Sequence, residues 1–502
     1  MTAFSLEPAQ LAWCAELRAL AAERLRPLAD KGEPGRVNRA LVAELGSLGL
    51  LGRLFTSGAL DLCLMRESLA YACTEAETAL ALQGLGAHPV HAYGTQAQRA
   101  HWLPRVTAGT AIAAFALSEP GAGSDAASLQ LRAEPDTDLR DDRASDAAAR
   151  ALRAEGTSTG PQGGRASDAA ARALRAEPGT DLQGGRASDA AAQALRAEET
   201  FTGPQGGRSP DAVARALRAE GTFTGPQGDR APDAAARALR AEVDAASREG
   251  RTSPGAALAA APDGPARWRL TGEKCWISNA PEADFYTVFA RTTPDAGARG
   301  VTAFLVPGDR PGLTGRGLDM LSPHPIGALD FDAVPVTADD VLGEPDRGFR
   351  VAMGTLNLFR PSVGALAVGM AQAALDATLA HTAGREAFGG RLKDLQAVAH
   401  QVAEMALRTE AARLMVHAAA SAYDADDPDV PRRSAMAKLL ATETAQYVVD
   451  AAVQLHGARA LQRGHLLEHL YREVRAPRIY EGASEVQRGI IAKELYARQE
   501  AP

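Results

Sequence analysis

AIAAFALSEPGAGSD, residues 111–125, is where the pattern of the chain changes. Upstream of it, Leu11, Leu17, Leu20, Ala21 and Leu25 recur at helical steps, as do Leu41, Leu45, Leu48 and Leu51, so residues from about 6 to 110 read as helices. The run of small apolar residues from Ile112 ends in SEPGAGSD, which predicts a strand followed by a glycine-rich turn. Strand-like runs return at Trp268–Leu270, Phe285–Ala290 and Val301–Val306. From about Phe349 the helical period takes over again and persists to Leu495, with helices expected near Leu356–Ala380, Asp394–Ala420 and Ala435–Gly457. Helices, then strands, then helices predict an α+β fold in three sequential domains, 1–112, 113–345 and 346–502.

The middle segment is interrupted. LRAE occurs at 131–134, 152–155, 174–177, 195–198, 217–220 and 239–242, and the aspartates of the unit recur at 146, 168, 189, 211 and 233. Each unit is close to GRASDAAARALRAE followed by a linker such as GTFTGPQG. Its apolar content is mostly alanine plus one leucine, too little for the stacked core of a solenoid. Short helices of this composition are marginal without packing partners. Residues 135–262 are therefore expected to be a flexible, partly helical insertion expanded by tandem duplication, with no catalytic role; an interaction module is the alternative. A surface loop accommodates such length because closure entropy grows slowly with it.

Bulk properties narrow the function. The 502 residues are enough for two to four domains, and 46% hydrophobic and 23% charged residues are ordinary for a globular protein. A formal net charge of -8 argues against general affinity for nucleic acid or anionic membrane, so any anionic ligand must be held by local groups. The four cysteines, Cys14, Cys63, Cys73 and Cys275, form no CxxC pair and read as reduced thiols. The N-terminus lacks a signal-peptide pattern and no apolar stretch reads as a bilayer span, so a cytoplasmic location is expected. No histidine stands at convincing metal spacing: His400, His417 and His456 read as structural or surface residues, and no metal is expected.

Four segments carry chemistry, the last of them in two parts, and each has a bland reading alone. SEPGAGSD can be a plain turn, since glycine, serine and aspartate all serve turns. GEKCWISNA, 272–280, can be a strand with a packed tryptophan. The arginine of REAFGGRLKDLQ, 385–396, can be a solvated helix residue, and the glutamate of RIYEGASEVQ, 478–487, a solvated one. Taken with QLHG at 454–457, in this order and at these distances, they resemble the acyl-CoA dehydrogenase family over nearly the whole chain outside the repeats.

That resemblance implies an N-terminal helical domain, a middle β-barrel-like domain and a C-terminal four-helix bundle. It implies FAD as cofactor and an acyl-CoA, or another acyl-carrier thioester, as substrate, within fatty acid metabolism. The reaction would remove an α-proton and pass the β-hydrogen as hydride to flavin N5, giving a 2,3-enoyl thioester; the flavin supplies the redox chemistry. Glu481 matches the base, and a carboxylate sealed against flavin and substrate has raised proton affinity. Some members place the base just before an arginine in the first long helix of the last domain; here that position is Phe359, before Arg360, which cannot serve. Leu117, Ser118, Gly123, Ser124, Trp276 and Ser278 match positions lining the flavin ring, and Phe388, Gln396, Gln454 and Gly457 match other flavin contacts. Arg385 matches an arginine that reaches the FAD pyrophosphate from a neighbouring subunit, which implies at least a dimer and usually a tetramer. Ser124, Arg360, Tyr480 and Gly482 are the matching substrate contacts, and an electron-transferring flavoprotein is the implied electron acceptor.

The chain also departs from the family pattern. Its QxxGGxG is Gln454-Leu-His-Gly-Ala-Arg-Ala460; a positive φ at Ala458 or Ala460 would cost about 1 kcal/mol each. Arg-Asp becomes Arg472-Glu473, the threonine after Glu-Gly becomes Ala483, and the aspartate three residues before the arginine becomes Asn357. Two other readings stay open on these residues: an oxidase-like flavoenzyme that uses oxygen, and a non-enzymatic binding protein on the same scaffold.

Overall fold

The computed structural model describes residues 6–136 and 267–499; all but the first two residues of the repeat insertion lie outside them. Seven helices precede the sheet: α1 (Pro8–Leu20), α2 (Arg26–Ala29), α3 (Arg39–Ser47), α4 (Leu50–Thr56), α5 (Ala59–Ala72), α6 (Thr74–Tyr93) and α7 (Gln96–Thr107). Leu17, Leu25, Leu41, Leu45 and Leu51 from the periodic set are all buried, whereas Leu11 is exposed.

The helix that matters most for the site is α6, because it carries β1 on its back. Gly86 lets the two backbones meet: a Cβ there would stand 2.6 Å from the Ala114 nitrogen. The buried Gln83 side chain bridges them, donating to the Ala111 carbonyl and accepting from the Ala113 amide, both at 2.7 Å. Thr287 donates from the next strand to the Gly86 carbonyl at 3.0 Å.

The middle segment is one curved sheet, a β half-barrel: β1 (Ala113–Ala116), β2 (Arg132–Pro135), β3 (Arg267–Ser278), β4 (Phe285–Arg291), β5 (Val301–Pro307), β6 (Leu313–Gly317) and β7 (Ile326–Thr337). The order is β1-β4-β2-β3-β7-β6, with β5 paired to β4. β4 and β5 are the fully buried runs expected from their apolar sequences. β2 and β3 are antiparallel with Pro135 opposite Trp268, and the Asp136 amide donates to the Arg267 carbonyl at 3.0 Å.

After β7 come α8 (Gly348–Gly384), α9 (Gln396–Asp424), α10 (Val430–His456), α11 (Leu466–Glu473) and α12 (Ser484–Gln499). The three long helices begin earlier or run further than their apolar periods suggested. One correction concerns membranes: by length and composition α8 is apolar enough to span a bilayer. Most of that stretch is buried against protein, with Ala365, Ala367, Ala371 and Ala374 fully enclosed beside α9 and α10 residues such as Val416 and Ala441.

Candidate active site

The turn after β1 is tied to β3 by a buried ion pair. Lys274, without exposed surface, donates to Glu119 at 2.8 Å and to the Leu117 carbonyl at 3.0 Å. Leu131 donates its amide to Glu119 at 2.9 Å, and the Gln130 amide donates to the other carboxylate oxygen. Burial lowers the Lys274 ammonium to about 8 even though Glu119 pulls it upward. One residue along, the Cys275 amide donates to the Ser118 carbonyl at 3.0 Å.

At this point β3 bulges. Its register against β7 slips between Lys274 and Ile277, and Trp276 takes a left-handed φ of 58°. Bulges re-aim side chains beside functional sites, and here the indole stands 49% exposed where its neighbours Lys274 and Ile277 are buried. Gly123 and Ser124 are also exposed, with open space around Gly123, while Leu117 is buried and Ser118 and Ser278 are intermediate. Trp276 and the Leu117–Ser118 backbone are brought together, leaving an accessible aromatic face beside exposed amides and hydroxyls.

Glu481 lies in the loop before α12, with φ of 51°, and Gly482 follows at 94°. Its Oε2 is shielded from solvent and has no hydrogen-bond partner among the described residues. Burial raises the Glu481 carboxyl above the ordinary carboxylate value against the pull of Arg66, Arg360 and Lys438, and Glu77 pushes it further up. The loop's carbonyls are gripped from three helices. Arg360 on α8 donates to Glu481 O at 3.5 Å, Lys438 on α10 to Gly482 O at 2.7 Å, and Gln487 on α12 to both, at 3.3 and 2.9 Å. Arg66 on α5 pairs with Glu77 on α6 and donates to Ser362 at 2.6 Å. Tyr480 is 39% exposed, and Phe359 is buried against His88.

The remaining predicted flavin contacts stand elsewhere. Arg385 caps the C-terminus of α8, Gln396 opens α9, and Gln454 and Gly457 end α10. Phe388 and Gly389 form the tip of a two-residue hairpin, with φ of 56° and 83°, which leaves the phenyl ring 90% exposed. His381 and His456 stack at 4.1 Å, so the ends of α8 and α10 meet. Arg385 stands 25 positions after Arg360 along one helix and its cap, roughly 37 Å of rise. Within one chain these residues are not brought to Glu481.

Several departures from the family pattern resolve on inspection. Ala458 and Ala460 lie in a 3₁₀ turn, Gly457–Leu461, and neither has positive φ, so the feared strain is absent. Asn357 still accepts from Arg360, at 3.1 Å. Glu473 is buried and bonded to His324 at 2.6 Å. What sequence reasoning missed are the buried cations Arg66, Lys274 and Lys438. A charged residue inside a helical or strand pattern carries no local signal that it is enclosed.

Comparison with known proteins places this geometry. The acyl-CoA dehydrogenase N-terminal domain matches residues 7–110, the middle domain 245–334 and the C-terminal domain 346–496. A probable acyl-CoA dehydrogenase of Mycobacterium tuberculosis is 39% identical over 231 residues, 45% of this chain and 59% of the relative. The mitochondrial short-chain specific acyl-CoA dehydrogenase of Bos taurus is 41% identical over 239 residues, 47% of this chain and 58% of the relative. The chain thus spans less than two thirds of the length of these curated relatives. The structure of butyryl-CoA dehydrogenase from Megasphaera elsdenii superposes with a TM-score of 0.69 at 24% identity, covering 98% of this chain and 99% of that one, which is a likeness of fold. With all three domain models matching in order, the chain belongs to the acyl-CoA dehydrogenase family.

Proposed function

We propose that this chain is an FAD-dependent acyl-CoA dehydrogenase in which Glu481 abstracts the α-proton of an acyl thioester. The observation that carries the reading is the Glu481 carboxylate, with an oxygen shielded from water and without a partner and a proton affinity raised by burial. A partnerless buried carboxylate oxygen costs free energy unless something else uses it. A raised proton affinity makes a carboxylate a stronger base.

The residues present fit a flavin. The exposed Trp276 offers an aromatic face, and Ser118, Gly123, Ser124 and Ser278 offer hydroxyls and backbone amides suited to ring carbonyls and nitrogens. Bound there, FAD would supply the hydride acceptor at N5. Glu481 would take the proton on Oε2, and Arg360 and Gln487 would hold the main chain of the base still. Ser124, Arg360, Tyr480 and Gly482 are our candidates for contact with the acyl thioester. Arg385, Phe388, Gln396, Gln454 and Gly457 sit too far from Glu481 to share its ring site, so we assign them to the FAD of a second copy. That makes the working unit a homo-oligomer, at least a dimer and by family habit a tetramer. An electron-transferring flavoprotein is the acceptor we infer, and the four free cysteines fit a reducing compartment such as the cytoplasm.

The test is the visible spectrum of the purified protein before and after anaerobic addition of a panel of acyl-CoAs. Flavin bands should bleach with at least one, and Glu481→Gln should keep the bands while losing the bleaching. A colourless protein that also refuses added FAD would overturn the reading.

A further inference from the structure

Lys438 lies within α10 with no exposed surface, and its ammonium spends its contact on one main-chain oxygen, Gly482 O at 2.7 Å. Enclosing an ammonium for a neutral carbonyl is costly, and an apolar side chain would fill a helix-packing position more cheaply. The carbonyl it holds belongs to the second of two successive left-handed residues, Glu481 and Gly482. That conformation is unfavourable for a glutamate and persists only where surroundings over-determine it.

We propose that Lys438 is the positioning residue of the base. From the rigid α10 its charged hydrogen bond fixes the left-handed turn that aims the Glu481 carboxylate. The inference rests on the reading of Glu481 as the base. The charged groups facing Lys438 are Glu481 in the loop, Arg360 on α8, Glu443 on its own helix and Glu485 on α12. Arg66 and Glu77 act on Glu481 from α5 and α6. Burial lowers the Lys438 ammonium to about 8; Glu481 opposes this, Arg360 adds to it, and Glu443 and Glu485 oppose it. The grip is charge-assisted below that value and only that of a neutral amine above it, and charge-assisted bonds are roughly twice as strong.

The experiment is anaerobic rapid-mixing measurement of flavin bleaching by a reactive acyl-CoA, between about pH 6 and about pH 10. It uses the holoenzyme, Lys438→Arg, Lys438→Met and Glu481→Gln. The unmodified enzyme should slow as pH rises through about 8. Lys438→Arg, charged throughout, should lose that slowing. Below that pH Lys438→Met should bleach about tenfold more slowly than the unmodified enzyme, the order expected for one charged hydrogen bond, and the gap should narrow above it, with its flavin spectrum and FAD retention intact. An unmodified enzyme with no slowing anywhere up to about pH 10, a Lys438→Arg that keeps the slowing, or a Lys438→Met of native rate would each overturn the proposal. Because the unmodified enzyme's profile is itself decisive, misfolded variants would leave the test standing. Bleaching in Glu481→Gln would instead overturn the base assignment, and this inference with it; its absence leaves the Lys438 results to judge the positioning role alone.

Discussion

A glutamate at φ of 51° followed by a glycine at 94° is a small structural expense concentrated on the residue we propose as the base. The glycine is what makes the pair possible. A Cβ on Gly482 would stand 2.2 Å from the Gln487 amide nitrogen, the group that holds both loop carbonyls. Gly482→Ala must therefore push Gln487 away and also carry a positive φ, worth about 1 kcal/mol on its own. The base would be mis-aimed rather than removed. We expect the rate of flavin bleaching to fall by about tenfold or more, since small misplacements at a reacting centre are amplified, while FAD stays bound. Bleaching at the native rate would show that the loop tolerates a Cβ and that its left-handed form does not aim Glu481. Glu481 could be singled out in the sequence as the candidate base because IYEGAS stands in order after the other motifs. Lys438 and Arg66 could not: in MAKLL and LMRES each reads as the solvated residue of a helix, and their enclosure is created only when α10 and α5 pack.

At the scale of elements, the sheet edge we propose to face the flavin depends on one clamp. Lys274 joins β3 to the turn after β1, and Glu119 joins the same turn to the amides of Gln130 and Leu131. Lys274→Met keeps the volume but leaves Glu119 buried and uncompensated, a loss of about 3–5 kcal/mol for a broken buried pair. Part of that loss should fall on the Trp276 bulge and the Ser118 turn, both of which hang from the clamp. FAD should bind at least about tenfold more weakly, read by flavin fluorescence titration of the variant, and native affinity in a folded Lys274→Met would sink the clamp's role. The strands of this edge were only partly readable in advance. β4 and β5 are apolar runs that signal burial on both faces. β6, LTGRG, is largely exposed and mostly glycine or charged, so it shows no strand period. β7, IGALDFDAVPVT, does alternate, with Leu329, Phe331, Val334 and Val336 buried and both aspartates exposed, but Ala333 at φ of 49° shifts the phase halfway and shortens each readable run. β2 is four residues, two of them charged, and gains its place from pairing with β3, which lies more than a hundred positions later in the sequence. The long helices were legible because their apolar faces persist for many turns; only their ends, set by caps and loops, were misjudged.

For the whole molecule, the decisive fact is distance. Glu481 is held beside Arg360 in the first half of α8, and Arg385 caps the far end of the same helix, roughly 37 Å along the axis. One chain does not bring the two together, yet by resemblance Glu481 matches the base and Arg385 a contact of the FAD pyrophosphate. If each site takes its base from one subunit and its pyrophosphate arginine from another, two separately defective chains can complete each other. Arg385→Ala alone should weaken FAD retention at every site, and Glu481→Gln alone should bind FAD without bleaching. Co-expressed in equal amounts, the two variants should form mixed dimeric units in which one site of the pair carries both native groups and the other carries neither. Random pairing then restores about a quarter of the native number of working sites, as the isologous arithmetic of a two-fold pair requires. Bleaching amplitude with an excess of acyl-CoA counts those sites directly. No recovery in a mixture that still assembles would mean that Arg385 serves its own chain's cofactor or none.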